Sequence, residues 1–277
     1  MKFKESKIKI NKFNPDEKKI PSAEKSNYYI GLFYLVLITL AEIVTAYTSP
    51  QLGVILHSII LVLLLIHYSF IPIRSFANRL KPLLLSLTLA PLIRIISLSM
   101  PLWNFEFIYW FIVIGIPLFI TSFVVIRVLH LKLKDVNLRW ENPFFTLSIA
   151  LSGVIFGYIE YFILKPEPLI SSLNLNEMII PGLIIIICTG LLEELIFRGI
   201  IQNTAEKAFQ NLALIFVPVL FAILHIGNRS IPHTFFVFGV GLFFSWAVKK
   251  TGSLIGVTLS HGIINITLYL VFPFILK

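Results

Sequence analysis

Polar and apolar residues in this chain fall into long blocks rather than a short-range alternation. Nine blocks are predominantly apolar, at residues 29–47, 52–70, 83–102, 105–128, 144–164, 178–198, 212–226, 233–248 and 254–276. An α-helix rises ~1.5 Å per residue, so about 20 apolar residues cross the hydrocarbon of a bilayer. The pattern predicts an all-α, polytopic transmembrane bundle of eight or nine spans, the seventh and eighth blocks being the shortest. Pro50, Pro82, Pro101, Pro143 and Gly252 punctuate the blocks as helix breakers. Apolar residues continue beyond Arg198 at Ile200, Ile201, Ala205, Ala208 and Phe209, so the sixth helix can run on along the interface. No internal repeat is visible, and no pair of interrupted helices in matching halves of the kind transporters use.

Composition agrees with this division. Hydrophobic residues make up 57% of the chain and charged residues 13%, with a mean hydropathy of +0.90; soluble domains carry about 25% charged residues. The net charge of +9 does not point to nucleic acid, because the basic residues cluster in the short segments between apolar blocks. Nineteen of the 23 Lys and Arg fall in segments on the same side as the N-terminus and three on the other, with Arg94 inside a span. Basic residues favour the cytoplasmic side, so the N-terminus is expected in the cytosol, the C-terminus outside for nine spans, and the protein in the plasma membrane. Residues 1–28 read as a basic cytosolic tail, too long for the n-region of a signal peptide. Residues 29–277 read as the transmembrane domain. The single Cys188 excludes an intrachain disulfide and a cysteine-rich zinc site. Tyr29, Trp103, Trp110 and Trp140 fall near span ends, as interfacial anchors do.

Ionisable groups within spans are costly and mark either pairing or function. In "CTGLLEELIFRGI" (188–200), Glu194 and Arg198 are four apart and share a helix face, whereas Glu193 is rotated ~140° from Arg198. Arg198 is thus placed to pair with Glu194, leaving Glu193 for chemistry. In "FAILHIGN", Phe221 covers the face that carries His225. In "LSHGIIN", His261 and Asn265 share a face and can both offer hydrogen bonds to one point. Elsewhere, Glu42, Arg94 and Glu160 lie about 16–24 Å deep in their spans. An Arg94–Glu160 pair is preferred, with Glu42 as the other acid within reach. His57 and His67 read as core or interface residues.

"EELIFR", "FAILH" and "HGIIN" fit EExxxR, FxxxH and HxxxN patterns in that order, with no departure at a motif position. This ordered set resembles the CPBP family of intramembrane proteases, which includes the CAAX prenyl endopeptidases and bacteriocin-processing or immunity proteins. The resemblance implies a protease-like core at about 144–276. It implies that Glu193 activates a water with His225, that His261 and Asn265 form an oxyanion hole, and that Glu194 and Arg198 support them. Phe221 becomes a candidate substrate contact. The preferred chemistry needs no cofactor. Alternatively, Glu193, His225 and His261 could hold a Zn²⁺ with a position open for water, although there is no HExxH pair.

The expected function is therefore endopeptidase action on a membrane-proximal peptide or protein segment, of the CAAX or bacteriocin type. A peptide-binding immunity or scaffold protein and a proton-coupled transporter are the alternatives. One difficulty is geometric. Straight spans place Glu193 and His261 roughly 8 and 10 Å from the cytosolic face but His225 roughly 20 Å from it. A shared site requires a longer sixth helix, a late start for the seventh, or a water-filled cavity.

Overall fold

The computed structural model of the protein describes residues 22–71, 79–99, 106–140 and 142–276. Most of the expected basic tail lies outside the described residues, as does Trp103. Every regular element among the described residues is helical. Four spans form the first half: α1 (Ser22–Tyr47), α2 (Pro50–Phe70), the broken pair α3 (Leu80–Leu87) and α4 (Leu89–Leu98), and α5 (Phe107–Val128). They are followed by α6 (Pro143–Leu164) and a long composite helix. Its parts are α7 (Leu175–Ile185), a π-helical stretch (Ile186–Leu191), α8 (Leu192–Glu194), a second π-helical stretch (Leu195–Ile201) and α9 (Gln202–Phe209). The chain closes with α10 (Ala213–Ile223), α11 (Ile231–Thr251), α12 (Ile255–Ile266), a third π-helical stretch (Thr267–Val271) and α13 (Phe272–Ile275).

The starts follow local chemistry. Ser49, Asn142 and Ser230 each cap a helix with proline at its first or second position. The side-chain oxygen satisfies an orphan N–H, and proline lacks the N–H that the first turn could not use. Asn174 caps α7 by accepting from the Glu177 N–H.

Eight helical segments among the described residues are long and apolar enough to cross a membrane. The count differs from nine because the sixth and seventh apolar blocks belong to one helical run. As the apolar residues beyond Arg198 indicated, the sixth helix continues through α9 to Phe209. There Gln210 turns the chain sharply (φ 54°, ψ −129°) into α10. With 11 residues, α10 is about 16 Å long; it folds back along α9, and the segment through Asn228 carries the chain on to the start of α11, whose far end returns beside the turn, Lys249 Nζ lying 2.8 Å from Asn211 Oδ1. His225 therefore lies almost as far from this turn on the returning arm as Glu193 does on the outgoing one. Glu193 sits mid-helix, not about 8 Å from the cytosolic face, and the two side chains meet at one level.

The interior is formed where α9, α10 and α11 pack with α1 and α3, around Ile38, Leu83, Leu87, Ile200, Phe209 and Phe244. Apolar side chains stay exposed on outer stripes, such as Phe33, Val36 and Leu40 on α1 and Ile116, Ile120 and Phe123 on α5, as lipid contact allows.

The buried charges pair differently from the expected Arg94–Glu160 contact. Arg94 grips Glu42 through Nε (2.5 Å) and Nη2 (2.7 Å), with His57 Nε2 3.1 Å from the same carboxylate. Glu160 instead accepts from His233 Nε2 at 2.8 Å. The cause is helix adjacency: α4 packs on α2, which packs on α1, the helix that carries Glu42, while α6 packs on α12 and α11. His67 Nδ1 lies 3.0 Å from the Tyr34 hydroxyl.

Candidate active site

Glu193 and Glu194 occupy three α-helical residues between two π-helical stretches. Such local widening of a helix recurs at functional sites. The adjacent carboxylates meet opposite surroundings. The Glu194 side chain is fully buried (0% exposed), while that of Glu193 is 31% exposed to the cavity beside it. Glu194 Oε1 accepts from Arg198 Nη1 at 2.9 Å and from His261 Nδ1 at 2.9 Å. Arg198 is itself fully buried; its guanidinium lies 4.5 Å from the centre of the Phe221 ring, and Nη2 reaches the Gly241 carbonyl at 3.4 Å.

The imidazoles are held by one nitrogen each. His225 donates from Nδ1 to the Phe221 carbonyl at 2.8 Å and packs its ring on Phe221, with centroids 4.6 Å apart. Arg94 also donates to the Leu224 carbonyl, so the Arg94–Glu42 pair braces the end of α10 just before His225. His261 commits Nδ1–H to Glu194, and its Nε2 lies 3.9 Å from Glu193 Oε2. A neutral ring bonded in this way carries a lone pair on Nε2. Asn265 donates from Nδ2 to Thr189 Oγ1 at 2.9 Å, which leaves its second amide N–H.

Glu193, His225, His261, Asn265 and Phe221 together line one cavity of about 150 Å³. Glu194 and Arg198 lie behind its wall. A larger cavity of about 540 Å³ adjoins it and shares Glu193, His225, Phe111, Thr189 and Asn228. Glu193, His225 and His261 do not fit a zinc site as placed. Among the described residues no three His, Cys, Asp or Glu side chains converge as metal ligands.

The cavity wall also holds residues that motif spacing did not indicate. Glu160 and His233 form a buried pair there, and Asn228 Nδ2 lies 3.2 Å from His233 Nδ1. Both members of that pair were visible as ionisable residues in apolar blocks. Their partnership depends on α6 lying against α11, which no spacing within one helix reveals.

Close helix contact brings His261 to the glutamates. A Cβ built on Gly190 would stand 2.7 Å from the Thr258 carbonyl, and one on Gly262 would stand 2.7 Å from Ile186 Cγ1. Small residues let helices approach where lipid offers no hydrophobic drive for association. Gly190→Val is expected to push α12 away from Glu194 and Glu193, lowering activity by at least ~10²-fold, the scale of a catalytic group moved by about 1 Å. Initial-rate assays and thermal unfolding of the purified variant in detergent check this.

Residues 175–267 match the family model described as "Type II CAAX prenyl endopeptidase Rce1-like". The matched segment runs from the first turn of α7 to the end of the EExxxR, FxxxH and HxxxN positions and contains all four cavity groups. The match agrees with a CPBP-type intramembrane protease domain and with a multi-pass membrane protein. No curated protein and no solved structure matches the chain.

Proposed function

We propose that this chain, with its Rce1-like segment at 175–267, is an intramembrane endopeptidase that hydrolyses a peptide bond by activating water with Glu193 and His225. The observation that carries this reading is the division of labour between adjacent carboxylates. Glu194 is engaged by Arg198 and His261, whereas Glu193 faces a cavity shared with His225, His261 and Asn265.

Peptide hydrolysis requires a base for the water proton and donors where the carbonyl oxygen becomes negative. In the proposed sequence Glu193 takes one proton while His225 Nε2 accepts a hydrogen bond from the same water. The water oxygen attacks the carbonyl carbon, and the C=O electron pair moves to the oxygen. Asn265 Nδ2–H and His261 Nε2–H face that charge. Because His261 Nδ1–H is committed to Glu194, donation from Nε2 requires the doubly protonated ring, whose charge the Glu194 carboxylate balances. The proton held by Glu193 then passes to the leaving nitrogen as the oxyanion electron pair re-forms the C=O and the C–N bond breaks, giving a carboxylic acid and an amine and restoring the base; the acid's remaining proton then passes to the amine, leaving a carboxylate and an ammonium.

The family match supports a CAAX-type protease; the site in this chain adds a lining that suits an apolar peptide segment. The test is terminal-peptide profiling by mass spectrometry of membranes from cells making wild-type protein or His225→Ala. New termini present only with the wild type are expected; identical profiles would end the reading. Asn265→Ala is expected to slow cleavage by about 10²–10³-fold, the usual cost of losing one oxyanion donor, as measured by initial rates on the substrate so found.

A further inference from the structure

Building on the endopeptidase reading, we infer that Glu160 is a further catalytic group of the same site, whose carboxylate receives the leaving nitrogen of the cleaved bond as that nitrogen becomes protonated. Glu160 belongs to α6, outside the segment 175–267 that matches the family model.

Gly153, Gly157 and Glu160 are four and three residues apart and so share one face of α6. That face is pressed against the helix that carries His261 and Asn265. A Cβ built on Gly153 would run into the Ser260 carbonyl oxygen, and one on Gly157 into Thr267 Oγ1. The two glycines thus set Glu160 beside α12 and on the wall of the cavity of about 150 Å³.

One oxygen of the carboxylate is held and the other is open. Glu160 Oε1 accepts from His233 Nε2 at 2.8 Å, and Asn228 Nδ2 donates to His233 Nδ1 at 3.2 Å. A ring that donates from Nε2 and accepts at Nδ1 is neutral, so His233 orients Glu160 without offsetting its charge. Among the described residues no donor reaches Glu160 Oε2, and the side chain, 10% exposed, lines the cavity. The His233 ring centre lies 6.0 Å from that of His225, which places the pair next to the imidazole that orients the water.

Glu160 and Glu193 both line this cavity, whereas no lysine or arginine does among the described residues. A carboxylate in such a wall is costly unless N–H donors or positive charge meet it. Amide hydrolysis brings both. The leaving nitrogen takes the proton held by Glu193 and becomes positive, and a group aimed at charge that develops in the transition state lowers the barrier. In the inferred step the nitrogen's original N–H donates to Glu160 Oε2. The oxyanion pair re-forms the C=O, the C–N electron pair stays with nitrogen, and Glu160 neither gains nor loses a proton. The amine, once protonated by the new carboxylic acid, departs from Glu160 as an ammonium. His233 and Asn228 are positioning residues for this carboxylate.

The test compares two forms of one substrate: a synthetic peptide spanning the bond found by terminal-peptide profiling, and its depsipeptide with the scissile N–H replaced by oxygen. An ester oxygen has no N–H to donate and leaves without becoming positive. For Glu160→Gln in the full chain, initial rates on the amide are expected to fall by about 10²-fold, with rates on the ester nearly unchanged. Glutamine keeps the shape and still accepts from His233, so thermal unfolding should match the wild type. Asn228→Ala, which releases the His233 ring without touching Glu160, should show a smaller loss with the same preference for the amide, and it carries the test if Glu160→Gln does not fold. Equal slowing of both substrates, or no slowing of the amide, would overturn the role of Glu160. The endopeptidase mechanism fails separately: Glu193→Gln should slow both substrates, and full cleavage of both by that variant would remove the base while leaving the Glu160 comparison readable.

Discussion

Glu193→Gln is expected to abolish cleavage while leaving the protein folded. The substitution keeps the shape of the side chain and removes both its charge and its ability to take a proton. General-base catalysis contributes about 10²–10⁴-fold, and the amide cannot substitute for it. The variant should therefore fall by about 10²–10⁴-fold in rate with little change in thermal unfolding, since the side chain is partly exposed to the cavity and lies 3.9 Å from His261 Nε2. Glu194→Gln makes the contrast. It removes the common anchor of Arg198 and His261, so it should lower stability and activity together. Cleavage rates and melting temperatures on both variants separate base from brace. Cleavage retained by Glu193→Gln would dismiss Glu193 as the base.

The fold was legible because lipid imposes a simple rule on the sequence: apolar blocks of sufficient length become spans. Two limits of that rule explain the differences. Hydropathy distinguishes lipid from water but not lipid from protein interior. The α9 segment, with Gln202 and Thr204 buried, reads as an interfacial end, yet it is enclosed by protein and satisfied there: Gln202 bonds the Ser245 carbonyl and Thr204 the Ser86 hydroxyl. The extension to Phe209 that the apolar pattern indicated is therefore packed inside the protein and not along the interface, and it is what brings His225 level with Glu193. The second limit concerns partners on different helices. Glu194 and Arg198 are four apart, and spacing alone indicated the contact. Arg94 with Glu42 and Glu160 with His233 depend on which helices are neighbours, and depth within a span could not rank those choices. The order of the three motifs pointed to a common site, but the π-helical stretches around the glutamates and the role of Thr189 as the Asn265 acceptor left no signal in spacing.

Arg198→Met is expected to be among the most destabilising single substitutions in the chain. The guanidinium is enclosed by protein and offsets the Glu194 charge, so removing it leaves a carboxylate in a site that neither lipid nor water reaches. Breaking a buried ion pair by deleting one partner costs about 3–5 kcal/mol, and the contact with the Phe221 ring face adds about 1–2 kcal/mol in a desolvated setting. Lysine does not restore the arrangement, because a compact ammonium cannot lie flat between rings while also reaching Glu194. The double variant Arg198→Met with Glu194→Gln should recover a substantial part of the loss, since replacing both members of a buried pair is often close to neutral. That recovery should extend to stability alone. His261 would still lack the carboxylate that holds its Nδ1–H, so the rescued protein should unfold at a higher temperature than Arg198→Met and remain slow in cleavage. Thermal unfolding of the four proteins in a double-mutant cycle, with initial rates measured on each, checks both halves. Equal stability of the single and double variants would show that the buried Glu194 charge is compensated by another group.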